Sequence, residues 1–194
     1  MLATDASLQM VRMAAHKAER AGCAGRIRFR WLPMEKLGVL AGENFDGVYS
    51  NFGAVNCVQD FPALAQDLAR LSGPGAPVSL VLMGRHVPWE WAWYLARGDV
   101  ATATRRLRRG GASWRGLRIQ YPTPSMLTRQ FAPYFEAARV SPLGFALPGS
   151  YAAPWLERTP RLLSLLTRLE ALAHRRSLAA FADHYCFEAR RPGP

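Results

Sequence analysis

The sequence predicts an α/β fold, and three observations carry the prediction. Val48-Tyr49-Ser50 is a short strand-favouring run that enters a tight loop at Asn51 and Gly53. Asp60-Phe61-Pro62 then opens a helical run over 63–71, which the Gly- and Pro-rich segment 72–77 stops. The apolar run 78–84, VSLVLMG, follows at once and reads as a buried strand. Strand, helix, turn, strand is a βαβ unit, whose connection is right-handed. Ligands of open α/β sheets sit at the carboxyl ends of the strands. Ser50, Asn51, Phe52 and Gly53 occupy that place.

The remaining elements can be justified in chain order. Leu2-Ala3-Thr4-Asp5 reads as the tail of a strand ending on a carboxylate. Ser7 is a candidate N-cap, and Leu8, Val11, Ala14 and Ala15 recur at helical spacing until Gly22 and Gly25 end the helix. Residues 26–32, RIRFRWL, alternate apolar and polar, as a second strand does. Pro33-Met34-Glu35-Lys36-Leu37 forms its loop. Beyond Gly84 the character changes, with an aromatic-dense segment at 85–94 and an arginine-dense one at 104–110. Residues 116–121 predict a short strand or hairpin arm, 124–131 a helix and 136–140 another strand. Thr159-Pro160 starts a leucine-rich helix, expected to pack as a lid on the core. A closing strand is expected at 184–189. No internal repeat or low-complexity segment is present.

A chain of 194 residues, 49% hydrophobic, suffices for one domain with a real core. No apolar run is long enough to span a bilayer, and Asp5 stands where a signal peptide would need apolar residues. Cys23, Cys57 and Cys186 lack metal-ligand spacing, so reduced thiols in the cytoplasm are expected and no metal site is. The net charge is +11, which raises nucleic acid as a partner. However, only Lys17 and Lys36 are lysines, and arginine enrichment beside alanine and glycine also follows from GC-rich coding. Nucleic acid is therefore not the expected partner. Arg161, Arg168, Arg175 and Arg176 flank the late leucines and would suit a membrane surface, but a lid is the preferred reading. The oligomeric state is not legible.

The order of these motifs resembles the class I S-adenosylmethionine-dependent methyltransferases over nearly the whole chain. Leu2-Ala3-Thr4-Asp5-Ala6-Ser7, with Met10 and Ala14, is similar to that family's second strand and helix. Residues 45–50 resemble its fourth strand, 71–83 its fifth, and 136–140 with 184–189 its antiparallel closing pair. The resemblance implies a Rossmann-like sheet, mostly parallel with an antiparallel closing strand, in a single domain. Within it, 1–84 would be the cofactor side, and 85–194 would supply inserts, lid helices and closing strands. It implies S-adenosylmethionine as cofactor and methyl transfer by direct displacement to a small, apolar substrate. The family's first strand and glycine-rich loop have no counterpart, so the fold is expected to be N-terminally incomplete. Leu2–Asp5 and Val48–Ser50 should then pair directly, accept a strand from another chain, or leave the first unit loosely held.

The candidate cofactor residues are Asp5, Ala6, Met34, Glu35, Ser50, Asn51 and Phe52. A carboxylate such as Asp5 can accept both hydroxyls of a ribose, and equally favours a helix N-terminus. Pro33 takes the place of the family's adenine-side acid, which leaves Met34 and Glu35. Asn51 and Gly53 also serve simply to make a turn. His86 and Glu90 are candidate catalytic bases, against a surface histidine and a first-turn helix acid. Arg85, Trp89 and Trp93 are substrate-side candidates, against a plain aromatic cap on the core. A nicotinamide-dependent oxidoreductase would use an acid at Asp5 in the same way and is the first alternative. A basic binding module or an inactive fragment is the second.

Overall fold

The computed structural model describes residues 1–193, apart from the side chain of Ala137. The chain begins with β1 (Leu2–Asp5), α1 (Leu8–Arg20) and β2 (Arg28–Trp31). β3 (Val48–Ser50), α2 (Phe61–Leu71) and β4 (Pro77–Met83) form the expected βαβ unit. Next come α3 (Pro88–Leu95), α4 (Val100–Ala103), β5 (Ala112–Trp114), β6 (Leu117–Ile119) and α5 (Pro124–Phe131). β7 (Glu136–Leu143), α6 (Ala153–Glu157), α7 (Pro160–Leu172) and β8 (His184–Arg190) complete the order.

Caps placed by the sequence explain where the early helices start. Ser7 Oγ accepts from the Met10 N–H at 3.3 Å, and Asp60 Oδ1 from the Ala63 N–H at 2.9 Å. Residues 61, 64, 65, 68, 69 and 71 of α2 are buried, the spacing of one helix face turned to a core. That face meets β4 and β8, whose Leu80, Leu82, Tyr185 and Phe187 are almost wholly buried. The Tyr185 hydroxyl donates to the Pro122 carbonyl at 2.9 Å, so its polar atom is paired within the core.

The expectation of one mostly parallel sheet is corrected. β1 pairs in parallel with β2 alone; β3, β4, β8 and β7 form a second sheet in that order; β5 and β6 form a hairpin. In the second sheet only β3 and β4 are parallel, and β8 runs antiparallel to both neighbours. The physical reason is that no described strand lies between β1 and β3. The two do not pair with each other, although Leu2 and Val48 pack against the same core. Direct pairing, one of the three expected outcomes, is therefore absent. α1 shows the effect, since only Ala18 is buried while Leu8, Met10 and Met13 are exposed.

The lid expectation for α7 also needs correction. Of its residues only Leu166 is buried, and Leu165, Leu169 and Leu172 face solvent. This helix packs beside α6 and makes a polar contact, described below, with the loop after β7. β5, α4 and α6 were not legible, being three to five residues each and without periodicity of their own. Among the described residues no helix is long and apolar enough to cross a membrane.

Candidate functional site

The carboxyl ends of β1, β2 and β3 carry the predicted cofactor residues. The Ser7 N–H donates to Asp5 Oδ1 at 2.7 Å, while Oδ2 has no partner among the described residues. The Ala6 carbonyl accepts from the Trp31 indole at 2.9 Å, which ties the β1 end to the β2 end. Met34 and Glu35 begin a 3₁₀ turn directly after β2, with Met34 packed on the core and Glu35 exposed. Burial pushes the Cys57 thiol up, and the nearby Glu35 and Asp5 carboxylates push it further. Both acids are thus within electrostatic reach of Cys57, in the 3₁₀ turn that follows β3.

That loop is built by local chemistry. Asn51 Oδ1 accepts the Phe52 N–H at 2.9 Å, and Phe52 takes a left-handed φ of 50°. Such a conformation costs about 1 kcal/mol or more for a residue with a β-carbon. Phe52 is 83% exposed, so packing does not repay the strain. The fully buried Asn56 then pins the loop to its neighbours. Its amide accepts the Met83 N–H at 2.8 Å and donates to the Met83 and Gln120 carbonyls at 3.2 and 2.7 Å. Sequence reasoning missed Asn56, since a buried asparagine in a loop has no periodic signal.

Asn51 and Phe52 form one side of a depression of about 290 Å³. Val81 in the second half of β4, Leu143 at the end of β7 with the loop that follows it to 149, and Asp183 with His184 at the start of β8 form the rest. Glu170 of α7 holds the loop. Its carboxylate accepts the N–H groups of Gly144, Ala146 and Leu147 at 2.8, 2.7 and 3.3 Å.

Behind the depression lies a buried ion cluster. Arg106 Nη2 is 2.7 Å from Glu90 Oε2 and 2.8 Å from Asp183 Oδ1, while Nη1 donates to the Gly84 and Asp183 carbonyls. Arg105 adds a second cation 3.0 Å from Glu90. Burial raises the Asp183 carboxyl, but the His184 hydrogen bond and the Arg106 charge outweigh it, so the net shift is downward. His184 Nδ1 lies 3.0 Å from Asp183 Oδ2. Neither residue of this dyad was among the sequence candidates; two adjacent polar residues at a strand start resemble any loop exit.

The substrate-side candidates fall elsewhere. His86 lies between the Trp91 and Phe181 rings, at centroid distances of 6.3 and 6.1 Å. Glu90 is committed to Arg105 and Arg106. Arg85 donates to the Leu107 carbonyl at 3.0 Å, and Trp89 is half-buried. The Trp93 ring lies under Arg97 at 3.5 Å and beside Tyr151 and Trp155. None of these five lines the depression, and Ser50 does not either.

No protein-family model matches the sequence, and no curated protein matches it. Solved structures do match the fold. A SAM-dependent methyltransferase from Methanosarcina mazei superposes with a TM-score of 0.57 at 14% identity, covering 100% of this chain and 82% of that one. Phosphoethanolamine N-methyltransferase 2 of Haemonchus contortus, solved with S-adenosyl-L-methionine, gives 0.56 at 15%, covering 98% and 43%. A protein associated with conversion of a disulfide bond into a thioacetal group during echinomycin biosynthesis gives 0.54 at 16%, covering 98% and 66%. The chain therefore spans about two thirds of the third protein and less than half of the second. It has the fold of the class I SAM-dependent methyltransferases.

The site can be tested against the cofactor that this fold implies. The free Asp5 Oδ2, the exposed Glu35 and the exposed Trp31 indole surface suit the hydroxyls and base of an adenosine.

Proposed function

We propose that the chain is a SAM-dependent methyl-transfer domain acting on a small, apolar molecule. What supports the reading is the methyltransferase-like fold, with Asp5 ending β1, Glu35 following β2 and the Asn51–Phe52 turn following β3. The cofactor, when bound, supplies a methyl group made electrophilic by its sulfonium. Asp5 would accept the ribose hydroxyls, Ala6 would border them, and Met34 and Glu35 would flank the base. Ser50, Asn51 and Phe52 would separate cofactor from substrate. The apolar walls formed by Val81, Leu143 and Leu147 would exclude water and orient the acceptor. Alignment of that kind lowers a displacement barrier by several kcal/mol without covalent participation of the protein.

Isothermal calorimetry with S-adenosylmethionine, S-adenosylhomocysteine and NAD⁺ tests this reading. Saturable binding of the first two and none of the third is expected. The affinity should be modest, because β1 and β3 each keep an unpaired edge beside the cofactor residues. Saturable binding of NAD⁺ alone would replace the proposal with the oxidoreductase alternative.

A further inference from the structure

We propose that the exposed side of α7 docks on an anionic lipid bilayer, its leucines entering the boundary between headgroups and acyl chains and its arginines pairing with the headgroups. Docking stands on the surface of α7 and does not depend on the methyl-transfer reading.

Leu165, Leu169 and Leu172 are spaced four and three residues apart, which sets them on one side of the helix. They are 53, 46 and 75% exposed, so an apolar strip is left largely in solvent. Arg161 stands four residues before Leu165, and Arg168 four before Leu172, so both cations border the strip. Both are exposed, as is Arg175 just past the helix end. Among the described residues the arginine ion pairs involve Arg28, Arg70, Arg105 and Arg106, and none involves these three. Trp155 of the neighbouring α6, 40% exposed, adds an aromatic residue of the kind that favours a membrane–water interface.

The charge selects the occupant. Residues 153–176 contain five arginines, at 158, 161, 168, 175 and 176, against two acids, Glu157 and Glu170. Glu170 is turned to the loop after β7, where it accepts three N–H groups. A second copy docked about a two-fold axis would set the strip against itself, arginines facing arginines. A nucleic acid would pair the arginines and leave the leucines in water. An anionic bilayer satisfies both, with charged headgroups over an apolar layer. α7 has 13 residues, too few to span that layer, so it lies in the plane of the interface.

Glu170 is two residues from Leu172 and therefore on nearly the opposite side of α7. One helix, about 10 Å wide, thus joins the lipid-facing strip to the loop that walls the depression. An apolar acceptor dissolved in the bilayer would have a short path to that depression; this consequence alone rests on the methyl-transfer reading.

Co-sedimentation of the 194-residue chain with vesicles of phosphatidylcholine, with and without phosphatidylserine, tests the docking. Saturable binding to the phosphatidylserine vesicles, weakened by added salt, is expected, with binding to phosphatidylcholine alone weaker by roughly tenfold or more. The combined variant Leu165→Gln, Leu169→Gln, Leu172→Gln and the combined variant Arg161→Gln, Arg168→Gln, Arg175→Gln should each lose a similar factor, roughly tenfold or more, while melting as the wild type does. Arg12→Gln, Lys17→Gln and Arg20→Gln together remove the same charge from α1 and should leave most of the binding. Hydrogen exchange of the wild-type chain needs no variant: amides of 161–172 should slow when phosphatidylserine vesicles are added. Absence of binding to those vesicles, an equal loss in the α1 variant, unchanged exchange over 161–172, or a lipid-free dimer that the leucine variant dissociates would each overturn the proposal. The S-adenosylmethionine titration is run without vesicles. A chain that binds vesicles and not the cofactor keeps this inference and loses the methyl-transfer reading; the converse result does the reverse.

Discussion

The Glu170 carboxylate of α7 accepts the backbone N–H of Gly144 at 2.8 Å, across 26 residues of sequence. Two further N–H groups of the same loop share that carboxylate, so a helix with one buried leucine is tied to that loop by a single anion. Glu170→Gln exchanges one accepting oxygen for a donor that cannot pair with an N–H. The expected loss is roughly 1–3 kcal/mol of stability, the scale of a charge-assisted bond replaced by an unpaired group. Urea unfolding checks the loss, and hydrogen exchange should show 143–149 opening first.

Arg106→Met should cost more. It leaves Glu90, 1% exposed, and the mostly buried Asp183 without their shared cation. Breaking such a cluster from one side costs about 3–5 kcal/mol. Replacing Glu90 with Leu in the same protein should not recover that loss, because Arg105, 3.0 Å from Glu90, would lose its partner in turn. The acid limb has a definite sign. The folded Asp183 carboxyl lies below its ordinary 3.8, so its contribution is present above that value and fades as pH falls through the lower folded one. Melting temperatures across the acid range, with Asp183→Asn as comparison, measure it.

The alkaline limb belongs to the tyrosines. Burial pushes Tyr151 from 10.0 up to about 12, and Tyr185 is raised as well. Above the unfolded value of 10.0 the unfolded chain ionises first, so stability should hold below it and fall as pH rises toward the folded values. The Tyr151 hydroxyl is buried without a well-aligned partner. Tyr151→Phe should therefore be neutral or stabilising at neutral pH and should soften the alkaline decline. Thermal melts of both proteins from neutral to alkaline pH settle the point.

Asp5→Ala should weaken S-adenosylmethionine binding by roughly 1–3 kcal/mol, the scale of a lost hydrogen bond to a charged group. Stability should change little, because Asp5 makes one side-chain bond, to the Ser7 N–H. Calorimetry showing unchanged affinity in a folded variant would remove Asp5 from the site.

The first half of the fold was legible because its signals are local. Ser7 and Asp60 cap the helices they precede, and the run at 78–84 covers all but the first residue of the strand that the structure places from Pro77 to Met83. Alternation at 26–32 likewise marked β2, although only Arg28–Trp31 is strand. Failure came where position depends on distant partners. Asn56, Arg106, Glu170 and Asp183 act through groups 16 to 77 residues away, and nothing in the spacing of neighbours encodes such contacts. The leucines of α7 misled for the converse reason. Helical periodicity says which residues share a face, and whether that face meets a core is decided by what stands opposite.

The edges left open on β1 and β3 have a kinetic consequence. The segment of β1, α1 and β2 is laddered only to itself and buries little beyond Leu32 and Ala18. Its amides should exchange with solvent through partial openings that leave the β4–β8 pair protected. Asp5 would then spend part of its time away from the Asn51 turn, and a ligand spanning the two would be captured by holding them together. The slowest amides of β1 should accordingly report occupancy: their exchange rate would fall as ligand is added, while that of Phe187 stays constant.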